Sequence, residues 1–70
     1  MSAVADLLVF AEQHRIGVTF LPDAEGWSVG YKHGTGSGDL SHAHDLHAAT
    51  VTAFRPLIDL VNRLEENRRC

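Results

Sequence analysis

The 70-residue sequence predicts an α+β fold of order α-β-β-α, a two-stranded antiparallel hairpin packed on two helices. Three observations predict it. Apolar residues recur at helical spacing near the N-terminus, alternate in two runs around a turn signal, and return to helical spacing over residues 46 to 64. No repeat and no linker-like stretch interrupts this order, so residues 1–70 read as a single domain.

Ser2 is placed to cap a first helix in which Val4, Leu7, Leu8 and Ala11 share a face. His14 and Arg15 suit the negative end of that helix, and Gly17 marks its exit. In "IGVTFL", Ile16, Val18 and Phe20 point one way while Gly17, Thr19 and Leu21 point the other. "PDAEG", Pro22 to Gly26, is turn chemistry, because proline presets φ and glycine tolerates positive φ. "WSVGYKH" alternates again, with Trp27, Val29 and Tyr31 against Ser28, Gly30 and Lys32. Two alternating runs joined by a five-residue loop form a hairpin, one face large and apolar, the other small and polar.

The glycine-rich stretch after His33 reads as a flexible connector that ends in a helix cap at Asp39 or Ser41. Beyond it, Leu46, Thr50, Ala53, Leu57, Leu60, Val61 and Leu64 hold one stripe, flanked by Phe54 and Ile58. Asp45, Thr52, Arg55, Asp59, Asn62, Arg63 and Glu66 fall opposite, as an amphipathic helix requires. Pro56 costs about 3 kcal/mol in a helix interior, yet the stripe keeps its phase across it. One long C-terminal helix, kinked near Pro56, is therefore expected. A helix over residues 41 to 68 runs roughly 40 Å, against roughly 20 Å for a strand of the hairpin. Its second half should overhang, leaving Leu57, Ile58, Leu60, Val61 and Leu64 in need of cover. A two-stranded sheet also leaves both edges open. Self-association as a homodimer, or docking on another protein, is expected on both grounds.

Nine Asp and Glu against six Lys and Arg give a net charge of -3, the wrong sign for gripping a phosphate backbone. The five histidines carry that charge toward about +2 in mildly acid solution. The apolar stretch "AVADLLVFA" contains Asp6 and is too short to span a bilayer, so no membrane association is expected. The single cysteine, Cys70, excludes an internal disulfide, fits a reducing, cytoplasmic compartment, and reads as a dangling thiol rather than a nucleophile. The acidic residues Glu65 and Glu66 and the basic Arg68 and Arg69 read as a solvated tail.

Chemistry-bearing patterns are few. No serine stands in a nucleophile elbow, and Asp23 with Glu25 forms an exposed hairpin tip rather than a buried carboxylate pair. No catalytic residue and no cofactor is assigned, and the chain is expected not to be an enzyme. Gly34, Gly36 and Gly38 sit where a phosphate loop would, but Asp39 stands where the dinucleotide spacing needs glycine. "HAHDLH" (His42, His44, Asp45, His47) resembles the His-x-His-x-Asp-His signature of the metallo-β-lactamase fold, with the acid one position early and no further ligands downstream. On a helix, His42 and His44 point to nearly opposite sides, whereas His44 and His47 share one and offer a weak two-ligand metal site. If residues 39 to 44 are extended instead, His42 and His44 fall on one side and His33 can join them.

A second resemblance is longer. "GSGDLSHAHDLHAA" is similar to the second-helix segment of double-stranded-RNA-binding domains, which carry two helices on one face of a short sheet. Gly36, Gly38, Ala48 and Ala49 match in spacing; Ser41, His42 and Asp45 stand in the places of the phosphate-contacting lysines. The resemblance implies duplex-RNA binding, and it implies three strands between the helices where two are expected here. The negative charge opposes nucleic acid as the partner.

What remains is a protein-binding module. Its expected contact residues are Asp23 and Glu25 at the tip, placed near Glu65 and Glu66, Lys32 on the small-residue sheet face, and Leu57, Ile58, Leu60, Val61 and Leu64. In size, acidity and lack of a catalytic set the chain is similar to small phage-encoded accessory proteins, the anti-CRISPR inhibitors among them. That likeness implies a steric blocker of a host nucleic-acid-processing complex, its acidic tip covering a basic groove.

Overall fold

The computed structural model describes residues 2 to 68, except for the side chain of Arg68. Cys70, read above as a dangling thiol, and Arg69 of the charged tail lie outside the described residues. The order is α1 (Ala3–Gln13), β1 (Gly17–Asp23), β2 (Gly26–His33), β3 (Gly36–Ala43) and α2 (Leu46–Arg68). The α+β class stands, with a helix at each end. The sheet, however, has three antiparallel strands in the order β1-β2-β3, not two.

The third strand is the glycine-rich stretch read from sequence as a connector. Across the sheet, Val18 faces Tyr31, Phe20 faces Val29 and Pro22 faces Trp27; on the other side Trp27 faces Ala43, Val29 faces Ser41 and Tyr31 faces Gly38. Opposite Tyr31, Val29 and Trp27, β3 thus places Gly38, Ser41 and Ala43, while its large apolar residue, Leu40, packs against the core out of step with them. Val29 pairs with Ser41 while Gly30 pairs with Asp39, so Leu40 is an extra residue that breaks the period of two. The small residues still have a steric use. A Cβ on Gly38 would lie 2.9 Å from Tyr31 Cε1, so the bare glycine lets the tyrosine ring lie across the neighbouring strand.

In α1, Ser2 caps as its hydroxyl oxygen accepts the Ala5 N–H at 3.1 Å. Leu7 and Ala11 are buried, while Leu8 is turned outward rather than sharing their face. The helix closes in a Schellman arrangement: the Arg15 N–H donates to Glu12 O and the Ile16 N–H to Ala11 O. Arg15, not Gly17, takes the left-handed conformation there, with φ of 57°. Gly17 instead opens β1.

Helix α2 begins at Leu46 rather than at residue 41. Neither Asp39 nor Ser41 caps it. Asp45 does, its carboxylate accepting the Ala48 N–H at 2.7 Å while its carbonyl accepts the Ala49 N–H at 3.0 Å. The helix then runs unbroken through Pro56 to Arg68. It packs on β3, β2 and α1, and α1 also touches β1, so both helices cover one face of the sheet.

The core joins Leu7, Ala11, Ile16, Val29, Ala49, Ala53, Leu57 and Val61, with Phe10, Trp27, Tyr31, Phe54, Leu60 and Leu64 packed against it. The expected overhang is therefore corrected. Leu57 is fully buried and Val61 nearly so within this one chain, and Leu60 and Leu64 are half-buried. Of the five residues expected to need outside cover, Ile58 alone, at 44% exposure, faces solvent. The later start of α2 shortens it, the third strand widens the sheet, and α1 lies alongside. Full burial of a leucine is worth about 1.5–3 kcal/mol, so the segment beyond the proline anchors the fold. One hydroxyl ties the layers, Ser41 Oγ donating to Ala49 O at 2.6 Å, and the buried Thr50 Oγ1 is satisfied within α2 by donating to Leu46 O at 2.7 Å.

Candidate interaction site on the bare sheet face

Alternation that points Val18, Phe20, Val29 and Tyr31 at the helices points their neighbours the other way, onto a face that no element among the described residues covers. Three cross-strand rows run over it: Gly17, Lys32 and Ser37; Thr19, Gly30 and Asp39; Leu21, Ser28 and His42. Lys32 and Leu21 are exposed, Leu21 at 63%. Leu21 stands on the edge strand β1 as an open apolar side chain beside polar neighbours, a feature that the alternation of Gly17, Thr19 and Leu21 carries only faintly.

Asp23 closes the last row. Its Oδ1 accepts the Glu25 N–H at 2.8 Å, forming the turn, and its Oδ2 lies 3.1 Å from His42 Nε2 and accepts the Ser28 hydroxyl at 3.5 Å. The Glu25 N–H holds the Asp23 carboxyl below its ordinary value of 3.8; desolvation opposes this, and the hydrogen bond and charge of His42 add to the lowering. The chemistry follows from the order of the groups. The carboxylate stands between hydroxyl and imidazole, so His42 bonds to the acid and not to Ser28. A nucleophile–base relay needs the imidazole in the middle. What this arrangement supplies is a pre-ordered set of polar groups beside an apolar side chain.

The acidic tip has different neighbours from those expected. Antiparallel β3 brings His42 and His44 back to the turn, where they line an open depression of about 740 Å³ with Glu25, Asp45 and Ala48. Glu65 lies at the other end of the molecule, in a cleft with Arg15 and His33. The placement of Asp23 and Glu25 near Glu65 and Glu66 is thus corrected. His33 faces Gly36, at the far end of the sheet from His42, and does not join it. His44 and His47 are both exposed, the first just before α2 and the second in its first turn. Among the described residues, no group of three or more His, Cys, Asp or Glu side chains is placed to hold a metal ion.

Among the described residues no helix is long and apolar enough to cross a membrane. Comparison with protein-family models, with curated proteins and with solved structures finds no match to this chain.

Proposed function

We propose that the chain is a small non-enzymatic protein-binding module whose docking surface is the bare sheet face and its acidic turn. The observation that carries this is Leu21, 63% exposed beside the Asp23–His42 pair, on the face of the sheet opposite the one the helices pack against. An exposed apolar side chain flanked on its sheet side by oriented polar groups supplies both kinds of contact that interfaces combine. Asp23, Glu25 and Asp45 gather at one end, which favours a basic partner surface and speeds encounter with it. Asp23, Glu25 and Lys32 stay in the proposed contact set; Leu57 and Val61 leave it, because their own chain buries them. In its finer form the module is a blocker of the anti-CRISPR kind, seated on the basic groove of a host nucleic-acid-processing complex.

Capture from bacterial lysate tests the proposal. Wild type should retain a partner that both Leu21→Asp and the pair Asp23→Lys, Glu25→Lys lose, each variant first shown to be folded. Equal retention by all three removes the bare face from the account.

A second reading has one observation in its favour. Three strands between two helices on one face is the count found in double-stranded-RNA-binding domains. Against it, Ser41 and His42 lie in β3 and Asp45 caps α2 where that family places lysines. A salt-sensitive shift of duplex RNA by the wild-type protein would favour this reading over the first.

A further inference from the structure

The end of the molecule away from the acidic turn holds a cleft that the docking surface does not use. It measures about 580 Å³, within the size range of small-molecule sites. His14 and Arg15 line it from the end of α1, His33 from the end of β2, and Leu64 and Glu65 from α2 over a floor that includes Val61. Donor-bearing side chains from two elements thus line the cleft together with an apolar wall and a carboxylate from the third. The His14 ring is held at 4.9 Å between centroids from Phe10, tilted by 54°, which limits the orientations of its nitrogens.

Arg15 adds an independent sign. It occupies the position after the helix that glycine fills most readily, with φ of 57°, and both flanking amides hold it there through the bonds to Glu12 and Ala11. A side chain kept at a conformational cost, where no side chain would be cheaper, is a mark of functional positions. In this case the residue kept at that cost is an arginine that lines the cleft.

We infer that this cleft binds a small organic carboxylate. The Arg15 guanidinium matches a carboxylate in a two-pronged pair, the most directional contact it makes. His14 and His33 offer further ring nitrogens, and Leu64 and Val61 receive the apolar body of the ligand. Glu65 selects within the anions: a carboxylate across the cleft opposes a second negative charge, so a singly charged headgroup fits and a doubly charged phosphate does not.

The test uses the full chain and three probes followed by amide NMR: benzoate, its neutral isostere benzamide, and inorganic phosphate. Benzoate should produce saturable shifts at residues 13 to 15, 33 and 64 to 67, and benzamide should bind at least about tenfold more weakly. Arg15→Gly should melt at a higher temperature than wild type yet lose benzoate binding by at least about tenfold. Glu65→Gln should tighten benzoate and admit phosphate. Equal binding of benzoate and benzamide, unchanged binding by the folded Arg15→Gly variant, or shifts that do not saturate at millimolar benzoate would each overturn the inference.

Discussion

Replacing Gly26 by alanine tests whether residues 36 to 43 form a third strand. Gly26 has φ of +150°, and a Cβ built on it would stand 2.1 Å from Ala43 O and 2.8 Å from His44 Cα. Both are backbone atoms, so no rotamer relieves the clash. The conformation itself costs an L-residue about 1–3 kcal/mol. Moving the β3–α2 junction out of its packed position costs about 1–3 kcal/mol more. The sum, about 2–6 kcal/mol, rivals the roughly 3–5 kcal/mol that a single core of this size supplies. Gly34 is the control. It also has positive φ, 59°, but nothing lies within 4 Å of its added Cβ, so Gly34→Ala should cost only about 1–2 kcal/mol. Urea titrations followed by circular dichroism should put the Gly26→Ala midpoint well below that of Gly34→Ala, or find no folded baseline at all. Equal losses for the two variants would refute the reasoning. They would mean that nothing lies against Gly26, as if the stretch were the connector that its composition suggests.

Other expectations follow from the same packing. Leu57→Ala, at a fully buried position beyond the proline, should cost about 2–5 kcal/mol, whereas Ile58→Ala, at the half-open neighbour, should cost well under half as much; denaturant midpoints of the pair decide this. Asp45→Ala removes the cap of α2 and should cost about 1 kcal/mol, with Asp39→Ala close to neutral in the same assay. Because the folded Asp23 carboxyl lies below 3.8, its contribution is present above that value and is lost as pH falls through the lowered one. Asp23→Asn should therefore flatten the acid limb of the stability profile, and acid titration of the two proteins followed by circular dichroism checks it.

Much of the frame was legible in the sequence. Ser2 as a cap, the alternation on either side of Pro22 to Gly26, and the stripe from Leu46 to Leu64 each carry a local signal that the structure keeps. The third strand carried none. Opposite the core residues of β2 it has glycine, serine and alanine, its core-packed Leu40 falls outside the period of two, and its pairing with β2 is a tertiary fact rather than a local one. That omission propagated. With two strands, α2 appeared to overhang and Leu57 and Val61 appeared to need a partner; with three, their own chain buries them. The site is legible only in pieces. The turn chemistry and polarity of the sequence place Asp23, Glu25 and Lys32 at the surface, but His42 reaches the acidic turn only through β3, and the alternation alone does not mark Leu21 as an apolar residue on a bare face.

The most direct test of the docking surface is a map of the chain bound to its captured partner, read from NMR shifts of backbone amides and side chains in the folded protein. The account predicts that the largest changes fall on Leu21, Asp23, Glu25, Ser28, Lys32 and His42. Changes confined to Val51 and Ile58 on the outer flank of α2, with β1 and the acidic turn unmoved, would contradict it.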